Sequence, residues 1–217
     1  MIELGLKFTL GYLLGSVLGG LLVGWLRGGV DIRKVGSGNP GGTNALRTQG
    51  KWFALWVMVI DLGKGILAVV LIPGLDIPGV GFDPEVDRML LVYSVAFAAI
   101  LGHVFPLWFD FRGGKGAATA AGVLIYLAPS LAVPVLAVWC LVVAATGFVG
   151  LATMSAGVGG AVFAAVTRLP EEHGLVVFAT AVALLLIFTH RSNIRRMLAG
   201  TESRFARVRF DRLFARK

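Results

Sequence analysis

Gly116-Ala117-Ala118-Thr119-Ala120-Ala121-Gly122-Val123-Leu124-Ile125 opens a run that closes at Phe163-Ala164-Ala165-Val166-Thr167 and holds no Asp, Glu, Lys or Arg in 52 residues. A helix at the surface of a soluble protein carries polar residues on the face turned from the core, and this run has too few to furnish one. A bilayer crossing takes about 20 apolar residues at 1.5 Å each, with about 17 as the lower end. The run is too long for one crossing and fits two long ones or three short ones. Breaks are expected near Pro129–Pro134 and near Gly147–Gly160, where proline and glycine punctuate it.

Charge outside the run decides the number. Arg27, Arg33, Lys34, Arg47 and Lys51 outweigh Asp31 in one loop; Arg112 and Lys115 mark a second, and the chain from His190 onward is strongly basic. Short basic loops stay in the cytoplasm. The Asp76–Asp87 turn and the Glu171–Glu172 turn are poor in Lys and Arg and belong outside. Passing from a cytoplasmic Gly116 to an external Arg168 takes an odd number of crossings, hence three of about 17 residues each. Further spans read as Leu4–Leu26, Trp52–Ile72, Met89–Trp108 and Leu175–Thr189. The predicted fold is an all-α integral membrane protein with seven transmembrane helices, some short or broken, and cytoplasmic glycine-rich loops. Its N-terminus lies outside, and residues 1–217 form a single membrane domain ending in a basic cytoplasmic tail, 203–217.

Composition agrees: 57% of residues are hydrophobic and the mean hydropathy is +0.83. The first apolar run ends in Trp25-Leu26-Arg27 with no small-residue cleavage site, so it reads as a span rather than a signal peptide. Cys140 is the only cysteine, which excludes an intramolecular disulfide and a Cys-based metal site. The net charge of +8 does not mark a nucleic-acid binder, because the cations flank spans and stacking motifs are missing. Glycines 11, 15, 19, 20 and 24 suit close helix packing in lipid, and Trp52 and Trp56 suit an interface. Asp61 and Lys64, three apart inside the second span, pair on one face toward the bundle interior or a watery cleft.

Three polar segments interrupt the apolar pattern. Gly36-Ser37-Gly38-Asn39-Pro40-Gly41-Gly42-Thr43-Asn44-Ala45-Leu46-Arg47 offers turn backbone for an anion-binding concavity, with Thr43 or Asn44 as a helix cap and Arg47 as a planar fork for phosphate. Gly113-Gly114-Lys115-Gly116 opens a helix and supplies backbone N–H groups and one ammonium; it lacks the spacing of a Walker A loop. His103, just upstream, is a hydrogen-bonded core histidine or a catalytic one. His190 and Asn193 share a helix face, and histidine titrates in the range that suits proton transfer. The parity argument puts all three segments, and the break expected around Thr153 and Ser155, on the cytoplasmic side, where they converge on one site.

GSGNPGGTNALR, GHVFPLWFDFRGGKGAATAAG and HRSNIRRMLAGTE, in this order and at these span ends, resemble the three signature segments of the bacterial acyl-phosphate:glycerol-3-phosphate acyltransferase family. They cover about a fifth of the chain, and the hydropathy layout agrees over nearly all of it. Gly42 stands where the family often has Ala. The resemblance implies transfer of a fatty acyl group from acyl phosphate to the 1-hydroxyl of glycerol 3-phosphate, giving lysophosphatidic acid and phosphate, the first step of phospholipid biosynthesis. It implies a multi-pass protein of the bacterial cytoplasmic (inner) membrane with its active site facing the cytoplasm. Ser37 and His190 are the expected catalytic residues; Asn39, Thr43, Asn44, Arg47, Lys115, Ser155, Asn193 and Glu202 are expected to bind substrate. No metal or other cofactor is expected, since the donor is already an activated anhydride. The expected partners are the two substrates and the bilayer, with the enzyme that makes acyl phosphate as a candidate for hand-over. Whether Ser37 is acylated or only binds phosphate stays open here. The alternatives are a transporter, which the broken helices and Asp61–Lys64 would suit, and an alcohol phosphotransferase, for which the sequence has no metal-binding aspartate cluster. The HxxxxD pair of acyl-CoA-linked glycerophosphate acyltransferases is also missing.

Overall fold

The computed structural model of the chain describes residues 1–205, and all regular structure among them is helical. Residues 1–128 form one compact unit and residues from 129 onward a second. Arg207, Arg209, Arg212, Arg216 and Lys217 of the basic tail, and with them its expected contact with anionic lipid, lie outside the described residues.

The first unit holds six α-helices: α1 (Ile2–Gly15), α2 (Gly19–Leu26), α3 (Gly42–Thr48), α4 (Lys51–Leu71), α5 (Arg88–Val104) and α6 (Ala117–Leu127). The expected span Leu4–Leu26 is the pair α1 and α2, bent by 45°. The bend falls at Ser16–Leu18, where Leu18 takes an extended conformation ahead of α2. A break inside an apolar segment leaves backbone groups without helical partners, and each is expensive where water is absent. Here Gly19 N–H donates to Asp61 Oδ1 at 3.0 Å and Lys64 Nζ donates to Val17 C=O at 2.5 Å. The pair read from the sequence is present, at 3.1 Å with both side chains nearly fully buried, and it caps both sides of the break.

At the other end of α1, Glu3 and Lys7 are buried among α4, α5 and the turn between them. Lys7 Nζ donates to Glu3 Oε1 (2.8 Å) and to Pro73 C=O (2.7 Å). Arg88 meets both Glu3 oxygens, at 2.9 and 3.0 Å, and Asp83 N–H donates to Glu3 Oε2 at 2.9 Å. The N-terminal ammonium pairs with Asp83. The acidic turn is thereby fastened to the start of α1.

The second unit holds α7 (Pro129–Thr146), α8 (Val149–Arg168), α9 (His173–Thr189) and α10 (Arg191–Leu198), with α8 packed on both α7 and α9. Proline opens α7, where its missing N–H costs nothing; Pro134 lies inside that helix. The first break of the uncharged run is therefore at Ala128, not between the prolines. The second is at Gly147 and Phe148. Thr153 and Ser155 correct the expectation of a break around them: they sit within α8, because Gly147 at φ +75° already ends α7 and frees the next residues to be helical. Arg168 closes the far end, donating to Ser130 Oγ (2.6 Å) and Glu172 Oε1 (2.7 Å).

Among the described residues, four helices are long and apolar enough to cross a membrane, and up to six spans result if each bent pair, α1 with α2 and α9 with α10 (52°), is one span. The seventh expected crossing is α6, with 11 residues about 16 Å long, roughly half the hydrocarbon thickness.

Candidate active site

In the first unit the polar loop is built around one side chain. Asn44, 2% exposed, accepts from Ser37 N–H at 3.0 Å through Oδ1. Its Nδ2 donates to Ile32 C=O (3.2 Å) and Val35 C=O (3.0 Å). Both amide protons and the oxygen are engaged, so Asn44 braces the loop. It is not the helix cap expected of it, and neither is Thr43: α3 begins at Gly42 behind Gly41, whose lack of a side chain leaves the N-cap without a side-chain bond. Gly36 has φ +60°, and a Cβ on it would overlap Asn44 Oδ1. Only glycine lets the chain turn there and leave Ser37 exposed over the brace. Asn39 and Thr43 are half-buried and Arg47 is exposed in the last turn of α3.

Asp31 steadies the entry to this loop. It accepts from Arg33 N–H at 3.0 Å and takes the Arg33 guanidinium at 3.1 and 3.0 Å on its two oxygens. The Arg33 guanidinium and backbone N–H hold the Asp31 carboxyl below its usual range, against the opposing effect of partial burial. The Arg33 guanidinium also lies 5.5 Å from the centre of the Phe109 ring, which joins the first loop to the second.

That second loop turns through Asp110 (φ 54°) and Phe111 (φ 57°), two consecutive non-glycine residues in the left-handed region. Such backbone costs on the order of 1–3 kcal/mol per residue and persists where surroundings hold it. Here Phe111 N–H donates to Pro106 C=O (3.0 Å), Gly113 N–H to Val104 C=O (3.1 Å) and Gly114 N–H to His103 C=O (3.0 Å). Lys115 follows, half-buried, one residue before the α6 N-cap Gly116. His103 is buried, its Nδ1 2.8 Å from Lys64 Nζ and 3.4 Å from Asp61 Oδ1.

In the second unit His190 joins α9 to α10 and is 4% exposed. Its Nδ1 lies 2.7 Å from Leu186 C=O. A carbonyl only accepts, so His190 Nδ1 carries a proton and donates to it. Asn193 N–H donates to His190 C=O at 2.8 Å. Asn193 Nδ2 donates to Glu202 Oε1 at 2.7 Å, while Arg196 Nε holds Glu202 Oε2 at 2.5 Å. Asn193 also packs on Gly150 of α8; Ser155, half-buried, lies five residues further along that helix. His190, Asn193 and Glu202 thus form one linked array. Glu3 and Lys7, both buried, form with the exposed Arg88 an ionic cluster that the sequence reading passed over, although an i, i+4 acid–base pair in an apolar span was the signal for it.

A membrane-type helical fold carrying glycine-rich cationic loops and a buried histidine between two helices defines an integral membrane acyltransferase when set beside known proteins. The sequence profile of the family described as Glycerol-3-phosphate acyltransferase matches residues 6–200. The glycerol-3-phosphate acyltransferase of Chlorobium phaeovibrioides is 34% identical over 228 residues, covering 94% of this chain and 97% of that protein. That of Chlorobium limicola is 35% identical with the same coverage, 94% and 97%. The crystal structure of PlsY (YgiH), an integral membrane glycerol 3-phosphate acyltransferase in its glycerol 3-phosphate form, superposes with a TM-score of 0.80 at 34% identity, over 97% of this chain and 98% of that one. A second crystal structure of that enzyme, in its lysophosphatidic acid form, gives 0.77 at 33% identity, over 93% and 94%. The chain belongs to the glycerol-3-phosphate acyltransferase family. It is an enzyme of the membrane, which sets aside the transporter and phosphotransferase alternatives.

Proposed function

We propose that the chain transfers a fatty acyl group from acyl phosphate to the 1-hydroxyl of glycerol 3-phosphate, the first step of phospholipid biosynthesis, at the cytoplasmic face of the bacterial inner membrane. The family match over residues 6–200 carries this reading, and His190, buried between α9 and α10 with its Nδ1 held by Leu186 C=O, is the side chain suited to act as general base for a hydroxyl. In the reaction the hydroxyl oxygen attacks the acyl carbonyl carbon. The bond from that carbon to the phosphate oxygen breaks, inorganic phosphate leaves with the electron pair, and the hydroxyl proton passes to His190 Nε2 or to the departing phosphate. Both substrates carry phosphate. Arg47 and Lys115 clamp these groups as fork and point charge. Ser37, Asn39, Thr43 and Ser155 donate neutral hydrogen bonds, and Asn193, with Glu202 and Arg196 behind it, orients the acceptor. Asn44 serves by bracing the loop under Ser37. Because the donor is an activated anhydride, positioning and charge stabilisation lower most of the barrier, and a covalent relay through Ser37 adds little. The enzyme that makes acyl phosphate is the partner for hand-over.

Initial rates against both substrates test this in purified, liposome-reconstituted protein. Direct transfer through a ternary complex gives intersecting double-reciprocal lines. Parallel lines, or an acyl adduct on Ser37 seen by mass spectrometry, would replace it with the acyl-enzyme route.

A further inference from the structure

Asp61, Lys64 and His103 are three ionisable side chains, all at most 3% exposed, that the proposed chemistry leaves without a task. Burying such groups is costly, and a well-packed apolar replacement often holds helices as well or better. Their contacts indicate what they do instead. The Lys64 ammonium has three protons and three acceptors: Val17 C=O at 2.5 Å, Asp61 Oδ1 at 3.1 Å and His103 Nδ1 at 2.8 Å. Since an ammonium only donates, His103 Nδ1 presents its lone pair, and the proton of the neutral ring is on Nε2. That Nε2 lies against Gly114, where a Cβ would fall on it. His103 C=O accepts from Gly114 N–H and the neighbouring Val104 C=O from Gly113 N–H.

The break between α1 and α2 reaches the same loop by a second route. Tyr12 OH donates to Phe105 C=O at 2.5 Å, and Leu107 N–H donates to Ser16 Oγ at 3.4 Å. The loop before α6 is therefore tied at its start to the last turn of α1 and at its end to His103. Asp61 and Lys64 hold both sides of the break, through Gly19 N–H and Val17 C=O.

We infer that Asp61, Lys64 and His103 are positioning residues: they lock the break in the first span to the Gly113–Lys115 segment and so set the place of the Lys115 ammonium. The inference rests on the proposed role of Lys115 as a phosphate clamp. A group misplaced by ~1 Å can cost up to 10²-fold in rate or binding, so a rigid mount for one flexible lysine is worth buried charge.

The test separates the mount from the clamp. A nitroxide is attached at Arg112→Cys in the full chain with Cys140→Ala, and a control label at Asp76→Cys on the acidic turn. His103→Asn, and the double replacement Asp61→Leu/Lys64→Leu, which leaves no charge unpaired, are expected to narrow the Arg112→Cys spectrum and leave the Asp76→Cys spectrum unchanged. The same variants, unlabelled, are expected to raise KM for a phosphate substrate by about tenfold with kcat nearly constant, the pattern of lost uniform binding. Gly114→Ala is expected to do likewise, and the smaller side chain of Gly114→Ala/His103→Asn to restore part of the loss. An unchanged Arg112→Cys spectrum in both variants, or narrowing at both labels, overturns the positioning role. Narrowing at Arg112→Cys alone with unaltered KM for both substrates keeps the mount and removes Lys115 from the phosphate site.

Discussion

Replacing Asn44 tests how the first loop is held. Asn44→Ala removes three hydrogen bonds, to Ser37 N–H, Ile32 C=O and Val35 C=O, at a net value of about 1 kcal/mol each. The sum, about 3 kcal/mol, is roughly a hundredfold in the ratio of ordered to open loop. Asn44→Asp is the sharper perturbation, because size and shape are kept. Its Oδ1 still accepts from Ser37, but its second oxygen faces two carbonyls at 3.2 and 3.0 Å with no proton to give. Like partial charges then repel where two bonds stood, so Asn44→Asp should match or exceed the alanine variant in its effect. The assay is amide exchange at Ser37 and Gly38 in protein without substrate, alongside kcat/KM. Faster exchange and lower kcat/KM in both variants are expected. Normal exchange with raised KM would refute the reasoning, since it would mean that Asn44 meets substrate and does not brace the loop.

Arg47→Lys keeps the charge and loses the fork; kcat/KM should fall by on the order of 2 kcal/mol, the value of a charge-assisted bond, and a near-normal value would take Arg47 out of the site. His190→Ala should lower kcat by roughly 10²–10⁴-fold, the usual range for lost acid–base help, whereas a mild loss relieved by excess glycerol 3-phosphate would leave the donor phosphate as the base. For the orientation, single cysteines at Lys34, Arg112 and Ser203 in the Cys140→Ala background should react only from the cytoplasm, and those at Asp76 and Glu172 only from outside. External labelling at Arg112 would reverse the parity argument. Lowering the pH should leave the Asp31–Arg33 pair intact down to below the usual aspartate range. A carboxyl whose folded pKa is depressed contributes stability above its unfolded pKa and loses it as pH falls through the folded value, so Arg33→Gln should make loop proteolysis rise at a higher pH than in the unaltered chain.

Legibility in the sequence followed the range of each interaction. The spans near Trp52–Ile72, Met89–Trp108 and Leu175–Thr189 appear within a few residues of expectation, because a bilayer allows little besides long apolar helices. The division of 116–167 into three helices came from charge parity, and the Asp61–Lys64 pair from i, i+3 spacing. Both signals are local. The bend at Ser16–Leu18 was not legible: glycines there suit close packing as well as a break, and what makes the break tolerable is a pair of side chains more than forty residues away.

By itself the sequence determined that the chain is a helical membrane protein with three polar segments at span ends, because hydropathy and charge act along the chain and lipid penalises any departure. Tertiary structure alone decided what those polar groups do. It turned Asn44 from cap to brace and drew His103 into the Asp61–Lys64 pair. A hydrogen bond is won by whichever partner arrives within about 3 Å at a workable angle, and for Val17 and Lys64, or Tyr12 and Phe105, only the packing of separate helices brings the partners that close.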